Sequence, residues 1–272
     1  MLVLMERLTV FIPLLLLFGM QAGQKSTPVE AVPSPVWETV IDSSSFANYT
    51  RFEQEWIYGY PWGNEHNGSA RMYASATDHN HVSLQDGVLR LRATHITTDE
   101  GSSRHTPRLP IRYHSGAVYA KKTVTVSDEY PQYEVSGYFK APVNLGTWPA
   151  FWLTATKGWP PETDILEFKG DSLNWQNTFI IPHQASTIKV AVPDAQTVWH
   201  HYKAVLKKVN ATEIDLEYYF DHKPTGVHRC NFMNKPMWLI INLQMEGSSG
   251  EPGPKTETNY YSRGVLVRRA KA

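Results

Sequence analysis

The sequence predicts an all-β protein, a jelly-roll β-sandwich of two antiparallel sheets. Short runs that alternate apolar and polar residues recur between turn residues, and almost no segment keeps a period of 3.6 residues. One hairpin is clear, because Asp86-Gly87 separates two such runs at residues 81–84 and 88–93. A chain of 272 residues with many strands at this spacing is long enough for two stacked sheets around one core.

Further alternating runs account for the rest of the predicted sandwich. They cover residues 116–126, 132–140, 150–154, 164–169, 199–207, 213–220, 238–245 and 264–269. Residues 247–254 are rich in Gly, Pro and Ser, which is typical of a loop within a domain. Since the sequence shows no internal repeat and no second domain, we expect one domain over residues 36–272.

The N-terminal segment has a different character. Arg7 precedes an apolar run over residues 8–20, and the small residues Ala22 and Gly23 follow. This layout predicts a signal peptide over residues 1–23, with a retained N-terminal anchor as the alternative. Residues 24–35, rich in Pro, Ser and Thr, are interpreted as a linker. We therefore expect a secreted protein, extracellular or periplasmic, with no membrane contact beyond the signal segment.

Charge and cysteine content exclude several classes of partner. Lys plus Arg equals Asp plus Glu at 26 each, so no overall field attracts nucleic acid or an anionic membrane, and a neutral polymer is a compatible partner. The single cysteine, Cys230, permits no intrachain disulfide. The 11 histidines lack the cysteine and carboxylate neighbours of a zinc site. We expect a monomer with neither a metal nor a cofactor.

The strongest chemical signal is a group of acids in an apolar, strand-like segment. Glu162, Asp164 and Glu167 lie within six residues, and only Lys157 and Lys169 are nearby cations. Burying carboxylates together costs desolvation and repulsion, so a purely structural role would require more compensating charge. This pattern favours acids that take part in chemistry.

Strand geometry gives these acids distinct roles. Side chains two positions apart share a face, so Glu167 joins Glu162 and Asp164 only if a β-bulge lies between Ile165 and Leu166. The outer carboxyls can then approach to about 5 Å, the separation of retaining glycosidases, in which one attacks the anomeric carbon and the other protonates the leaving oxygen. Asp164 would orient Glu162 and, through its charge, raise the pKa of a neighbouring carboxyl, which keeps Glu167 protonated near neutral pH.

The motif, together with the residues before it, also resembles a known family. Trp-Pro-Ala-Phe-Trp-Leu at residues 148–153, followed by Glu-x-Asp-x-x-Glu, resembles glycoside hydrolase family 16, and similar segments cover nearly all of residues 36–272. The resemblance implies a concanavalin A-like jelly roll with an open substrate cleft. It also implies that Glu162 is the nucleophile, Asp164 its assistant and Glu167 the acid/base.

The same resemblance ranks the substrates. The extra residue in the motif marks the bulged subgroup of laminarinases and algal galactanases, whereas Ala117 stands where laminarinases usually have a cleft arginine. We expect an endo-acting retaining β-glycosidase. A β-1,3-containing glucan ranks first, an agar-, porphyran- or carrageenan-type galactan next, and a host glycan last.

Aromatic and amide side chains near the motif are candidates for sugar binding, because aromatic faces stack on sugar rings. Trp148 and Trp152 flank the acids, Trp62 lies in a predicted loop, and the resemblance places Asn242 along the cleft. For Trp148, Trp152 and Asn242 a place in the core remains an alternative.

Two rival functions fit the predicted fold. A jelly roll can bind sugar without chemistry, as lectins do, although the intact acids argue against that reading. A polysaccharide lyase would need a Tyr, His and Arg base set, and no recognisable motif in the sequence supplies one.

Overall fold

Two β-sheets packed face to face make up the part of the chain that the computed structural model describes, residues 35–272. The predicted all-β sandwich is therefore confirmed. The predicted signal peptide (residues 1–23), and all but the last residue of the predicted linker (residues 24–35), lie outside the described residues. Within the described part, no helix is both long and apolar enough to cross a membrane.

The elements follow one another in this order. They are β1 (Trp37–Ile41), α1 (Tyr49–Glu55), β2 (Trp56–Tyr58), β3 (Ala70–Met72), β4 (Val82–Gln85), β5 (Val88–His95), β6 (Tyr113–Ser115), β7 (Ala117–Ala120), β8 (Gln132–Lys140), β9 (Thr147–Ala155), β10 (Glu162–Glu167), β11 (Leu173–Ile181), β12 (Gln184–Ala191), β13 (His200–Lys208), β14 (Ile214–Phe220), β15 (Lys223–Cys230), β16 (Met237–Met245) and β17 (Thr258–Ala270). A 3-10 turn at Gly247–Ser249 precedes β17.

Strand pairing within residues 35–272 gives one sheet of ten strands and one of seven. The seven-stranded sheet has the order β12-β11-β10-β9-β16-β7-β2. The larger sheet follows β15-β14-β13-β8-β17-β5-β6-β3, with β1 added to β17 and β4 to β5. The pairs are antiparallel except for β3 with β6. The strand that carries the acids thus lies inside a sheet, with a hydrogen-bonded neighbour on each side.

The core fills the space between the sheets. Phe139 of β8 and Phe151 of β9 are fully buried, and their ring centroids lie 4.7 Å apart, one ring from each sheet. Truncating such a ring to alanine typically costs about 3–5 kcal/mol of stability. On β9 the core residues Phe151 and Leu153 alternate with Trp152 and Thr154 on the opposite face, which faces the cleft described below.

Each predicted run contains a strand of the structure, but one run is much too long and several strands were not predicted. Of the run predicted over residues 116–126, only Ala117–Ala120 is a strand, and residues 121–123 lie outside it. The strands that were not predicted are β1, β2, β3, β6, β11, β12 and β15. Most residues of β12 are exposed, so this edge strand lacks the alternation that reveals a half-buried strand.

Candidate active site

A β-bulge brings the three acids to one face of the seven-stranded sheet. The pairing of β10 with β9 shifts between Asp164 and Leu166, so Ile165 is the extra residue, as the sequence predicted. The acids then lie opposite successive cleft-facing residues of β9. The pairs are Glu162 with Thr154, Asp164 with Trp152 and Glu167 with Ala150.

These acids form the floor of a cavity of about 790 Å³. Its walls come from β9, β11, β16 and the loops around them. The lining residues are Trp62, His66, Asn67, His105, Thr106, Trp148, Trp152, Thr154, Ala155, Thr156, Gly158, Trp159, Glu162, Asp164, Glu167, Lys169, Phe179, His183, Trp238 and Ser248. An aromatic-lined cleft of this size suits a short stretch of polysaccharide.

Glu167 is held by three donors. The Trp148 indole donates to Oε1 at 2.7 Å, and the Asn177 amide donates to Oε2 at 2.7 Å. The Lys169 ammonium lies 3.0 Å from the same Oε2. The Trp159 indole donates to Glu162 Oε2 at 2.9 Å. These bonds fix the orientation of both outer carboxyls.

Asp164 lies between the outer acids and is almost fully buried. The Asn177 amide donates to Asp164 Oδ2 at 2.9 Å as well as to Glu167, and its own carbonyl accepts from Thr187 at 2.8 Å. Asn177 therefore links two of the acids through one rigid amide.

Burial dominates the electrostatics of this group. It raises the pKa of Glu162 to about 8, assisted by repulsion from Glu167 and opposed by the Trp159 hydrogen bond. Burial, followed by repulsion from Glu167 and Glu162, raises the pKa of Asp164 well above its usual range. The site consequently retains a proton near neutral pH, which acid catalysis requires. The sequence analysis predicted that Glu167 carries this proton, and that assignment stays a prediction.

The structure locates every predicted sugar-binding residue at this cavity or in its wall. Trp62, Trp148 and Trp152 line it, and Trp152 donates its indole hydrogen to Asn242 at 2.7 Å. Asn242 lines a smaller recess of about 50 Å³ beside the acids. Trp148 and Trp152 are more than nine-tenths buried, so little of either ring is open to the cavity. Their contact with sugar stays a prediction.

Several residues at the site were not predicted. Asn177 lies on β11, which sequence reasoning did not identify as a strand, and polar residues on both faces of β11 hide its alternation. Trp159 lies three residues before Glu162, but its bond to that acid depends on the loop conformation. His66 and Asn67 come from the β2–β3 loop, far from the motif in sequence. Among residues 35–272, no group of three or more His, Cys, Asp or Glu side chains is arranged to hold a metal ion.

Comparison with known proteins decides the family. The profile of Glycosyl hydrolases family 16 matches residues 70–262. The chain belongs to this family. It is therefore a glycoside hydrolase.

Two relatives are similar to this family 16 chain in sequence. It is 44% identical over 236 residues to the galactan endo-β-1,3-galactanase of Flammulina velutipes, covering 85% of this chain and 90% of the relative. It is 30% identical over 149 residues to the endo-1,3-1,4-β-glycanase ExsH of Rhizobium meliloti, covering 51% of this chain and 30% of that protein.

The structural matches support the fold. The endo-1,3-β-glucanase of Streptomyces sioyaensis superposes with a TM-score of 0.64 at 19% identity, covering 89% of this chain and all of that one. The β-glucanase of Bacillus licheniformis gives a TM-score of 0.58 at 19% identity, with the same coverage. The jelly-roll sandwich is thus shared with family 16 glucanases.

Proposed function

We propose that this protein is an endo-acting retaining β-glycosidase that cleaves β-1,3-linked galactan. The observation that best supports this reaction is that Glu162, Asp164 and Glu167 lie on one face, at the floor of an aromatic-lined cavity. The 44% identity to a galactan endo-β-1,3-galactanase supports galactan ahead of glucan, which reverses the order that the sequence alone suggested. A β-1,3-containing glucan is the second candidate, because the ExsH relative is named a 1,3-1,4-β-glycanase.

The reaction follows a double displacement. The Glu162 carboxylate attacks the anomeric carbon of the sugar bound at the floor, and the C1–O3 bond breaks as Glu167 protonates the leaving oxygen. Glu167 then takes a proton from water, and the resulting hydroxide releases the sugar from Glu162. Retention of the β configuration is the expected outcome.

The proton that this scheme requires is already held by the acidic group. Asp164 and Glu162 have raised pKa values, and the Asn177 amide contacts both Asp164 and Glu167. Substrate entry excludes water and brings the glycosidic oxygen to Glu167, which favours the tautomer with the proton on that acid. Titration of such a group belongs to the set of acids rather than to one member.

We also propose that the protein is secreted. It rests on the composition of residues 1–23, and a secreted chain beginning near Gln24 is the expected product. Sequencing the N-terminus of protein recovered from the culture medium tests it, and a chain that stays attached to membranes would support the retained anchor instead.

A reducing-sugar assay tests the enzymatic proposal. Wild-type protein, Glu162→Gln and Glu167→Gln are compared on β-1,3-galactan, laminarin, mixed-linkage glucan, agarose, porphyran and carrageenan. Activity on β-1,3-galactan that falls by several orders of magnitude in both variants supports the proposal. Exposed Glu129 provides the matched control, Glu129→Gln, which should retain full activity. Binding without turnover on every polymer would favour the lectin alternative.

A further inference from the structure

His66 occupies an unusual position beside the catalytic acids. It lies on the β2–β3 loop and lines both the main cavity and the recess that holds Glu162, Asp164 and Glu167. Its ring is nearly parallel to that of Trp152, with centroids 6.0 Å apart and an angle of 19°. A distance of 6.0 Å between the ring centroids leaves no room for a sugar between the two rings. His66 therefore covers this part of the Trp152 face.

Two side-chain atoms of this loop have no hydrogen-bond partner in the described part of the protein. His66 Nδ1 and the neighbouring Asn67 Oδ1 are buried and have no partner among the described residues. His66 Nε2 makes no hydrogen bond within residues 35–272 either, but it is not buried. Nε2 is therefore the ring nitrogen that is open to the cavity and free to bind a ligand. The buried, unpaired Nδ1 and Asn67 Oδ1 make this wall polar, and leaving such groups unpaired typically costs about 1–3 kcal/mol each.

The His66 ring is electrically neutral at the pH at which a hydrolase of this kind would be assayed. Burial, with a smaller repulsion from His105, lowers the pKa of His66 to about 4. A neutral imidazole offers one N–H donor and one acceptor nitrogen, a combination that matches a sugar hydroxyl. It also adds no positive charge to a site in which the Lys169 ammonium already lies beside Glu167.

We infer that His66 is a substrate-binding residue whose Nε2 hydrogen-bonds a hydroxyl of the sugar ring held at the catalytic acids. This inference rests on the proposed function, since it requires a glycan in the cleft. Trp152 contributes mainly by supporting the imidazole. Recognition at this wall is therefore polar, whereas the more exposed Trp159 offers an open aromatic surface.

Two substitutions separate the hydrogen bond from the packing. His66→Phe retains an aromatic ring against Trp152 but removes both nitrogens, and His66→Gln extends an amide nitrogen towards the position of Nε2. We expect kcat/KM for β-1,3-galactan to fall roughly tenfold to a hundredfold in His66→Phe, mainly through KM, and to recover in part in His66→Gln. His95→Gln is the matched control, because His95 packs on Tyr113 outside the main cavity, and it should leave kcat/KM unchanged.

Two results would overturn the role of His66. One is a kcat/KM of His66→Phe within twofold of wild type. The other is an equal loss in both His66 variants together with a lowered Tm, which would mean that the ring only supports the loop. Wild-type protein without activity on any polymer would instead overturn the proposed function. If wild type cleaves a polymer other than galactan, the same comparison is made on that polymer.

Discussion

At the scale of residues, the catalytic floor places three acids where each raises the cost of charging the others. Asp164 and Glu167 are more than nine-tenths buried, and Lys169 is the cation that contacts the group. Such an arrangement reduces stability and is characteristic of active sites. Its consequences can be measured without any substrate.

The raised pKa of Glu162 links folding to pH. A carboxyl with a pKa of about 8 in the folded protein and about 4.5 in the unfolded chain binds more protons when folded, so its stabilising contribution is lost as pH rises through that window. Glu162→Gln removes this loss. The Tm of the variant minus that of wild type should therefore increase between pH 5 and 8, where each kcal/mol corresponds to roughly 2–4 °C.

Differential scanning fluorimetry across this pH range measures the difference. Glu129→Gln, at an exposed position, serves as the control with a constant difference. A Tm difference for Glu162→Gln that stays flat or falls with pH would show that Glu162 is not the group with the raised pKa.

Asn177 provides a second test at this scale. Asn177→Ala removes the amide that donates to both Asp164 and Glu167, so we expect kcat to fall roughly tenfold to a hundredfold, with the fold retained. Steady-state kinetics and circular dichroism check this result. The exposed Asn231→Ala is the control, and an Asn177→Ala variant with wild-type kcat would contradict the orienting role.

The acids themselves could be predicted from the sequence because their spacing, their apolar setting and strand geometry agree. Asn177 could not, since β11 carries Asn174 and Gln176 as well as Asn177, and nothing local distinguishes the one that faces the acids. His66 could not either, because its place beside Trp152 depends on how a distant loop folds over the sheet.

At the scale of elements, the bulge at Ile165 determines whether the three acids share a face. Deleting Ile165 leaves the spacing Glu-x-Asp-x-Glu, in which regular alternation alone keeps all three acids on the cleft face without a bulge. We therefore expect the deletion to retain measurable activity and to lower stability, because a buried side chain is lost. Ile165→Ala should lose about 2–4 kcal/mol of stability through the cavity that it creates, while keeping the bulge and measurable activity.

Comparing these two variants separates the effect of removing the bulge from the effect of losing core packing at Ile165. Activity and Tm are measured for both on the same polymer. Complete loss of activity in the deletion, with activity kept in the alanine variant, would contradict this account, because it would mean that a shared face for the acids is not enough. The bulge was predictable because the spacing of the acids requires it, whereas the edge strands β12 and β15 carry no comparable signal.

At the scale of the whole molecule, residues 35–272 contain both sheets, the shared core and the complete cavity. We expect a chain that begins at Pro35 to be a monomer with the kcat/KM of the full chain. Light scattering after size exclusion, together with the polymer assay, checks both points. A truncated chain that aggregates or loses most of its activity would show that earlier residues contribute to the fold.

The sandwich could be predicted from the spacing of its strands. The order in which the strands pair could not, because it depends on contacts between distant segments of the chain.

The central claim is that Glu162 and Glu167 perform a double displacement, and the stereochemistry of hydrolysis tests it most directly. Proton NMR of β-1,3-galacto-oligosaccharide cleavage, recorded in the first minutes, reports the anomer of the new reducing end before mutarotation. We predict the β anomer, with the α form appearing only later. Initial release of the α anomer would show inversion and contradict the assignment of Glu162 as nucleophile.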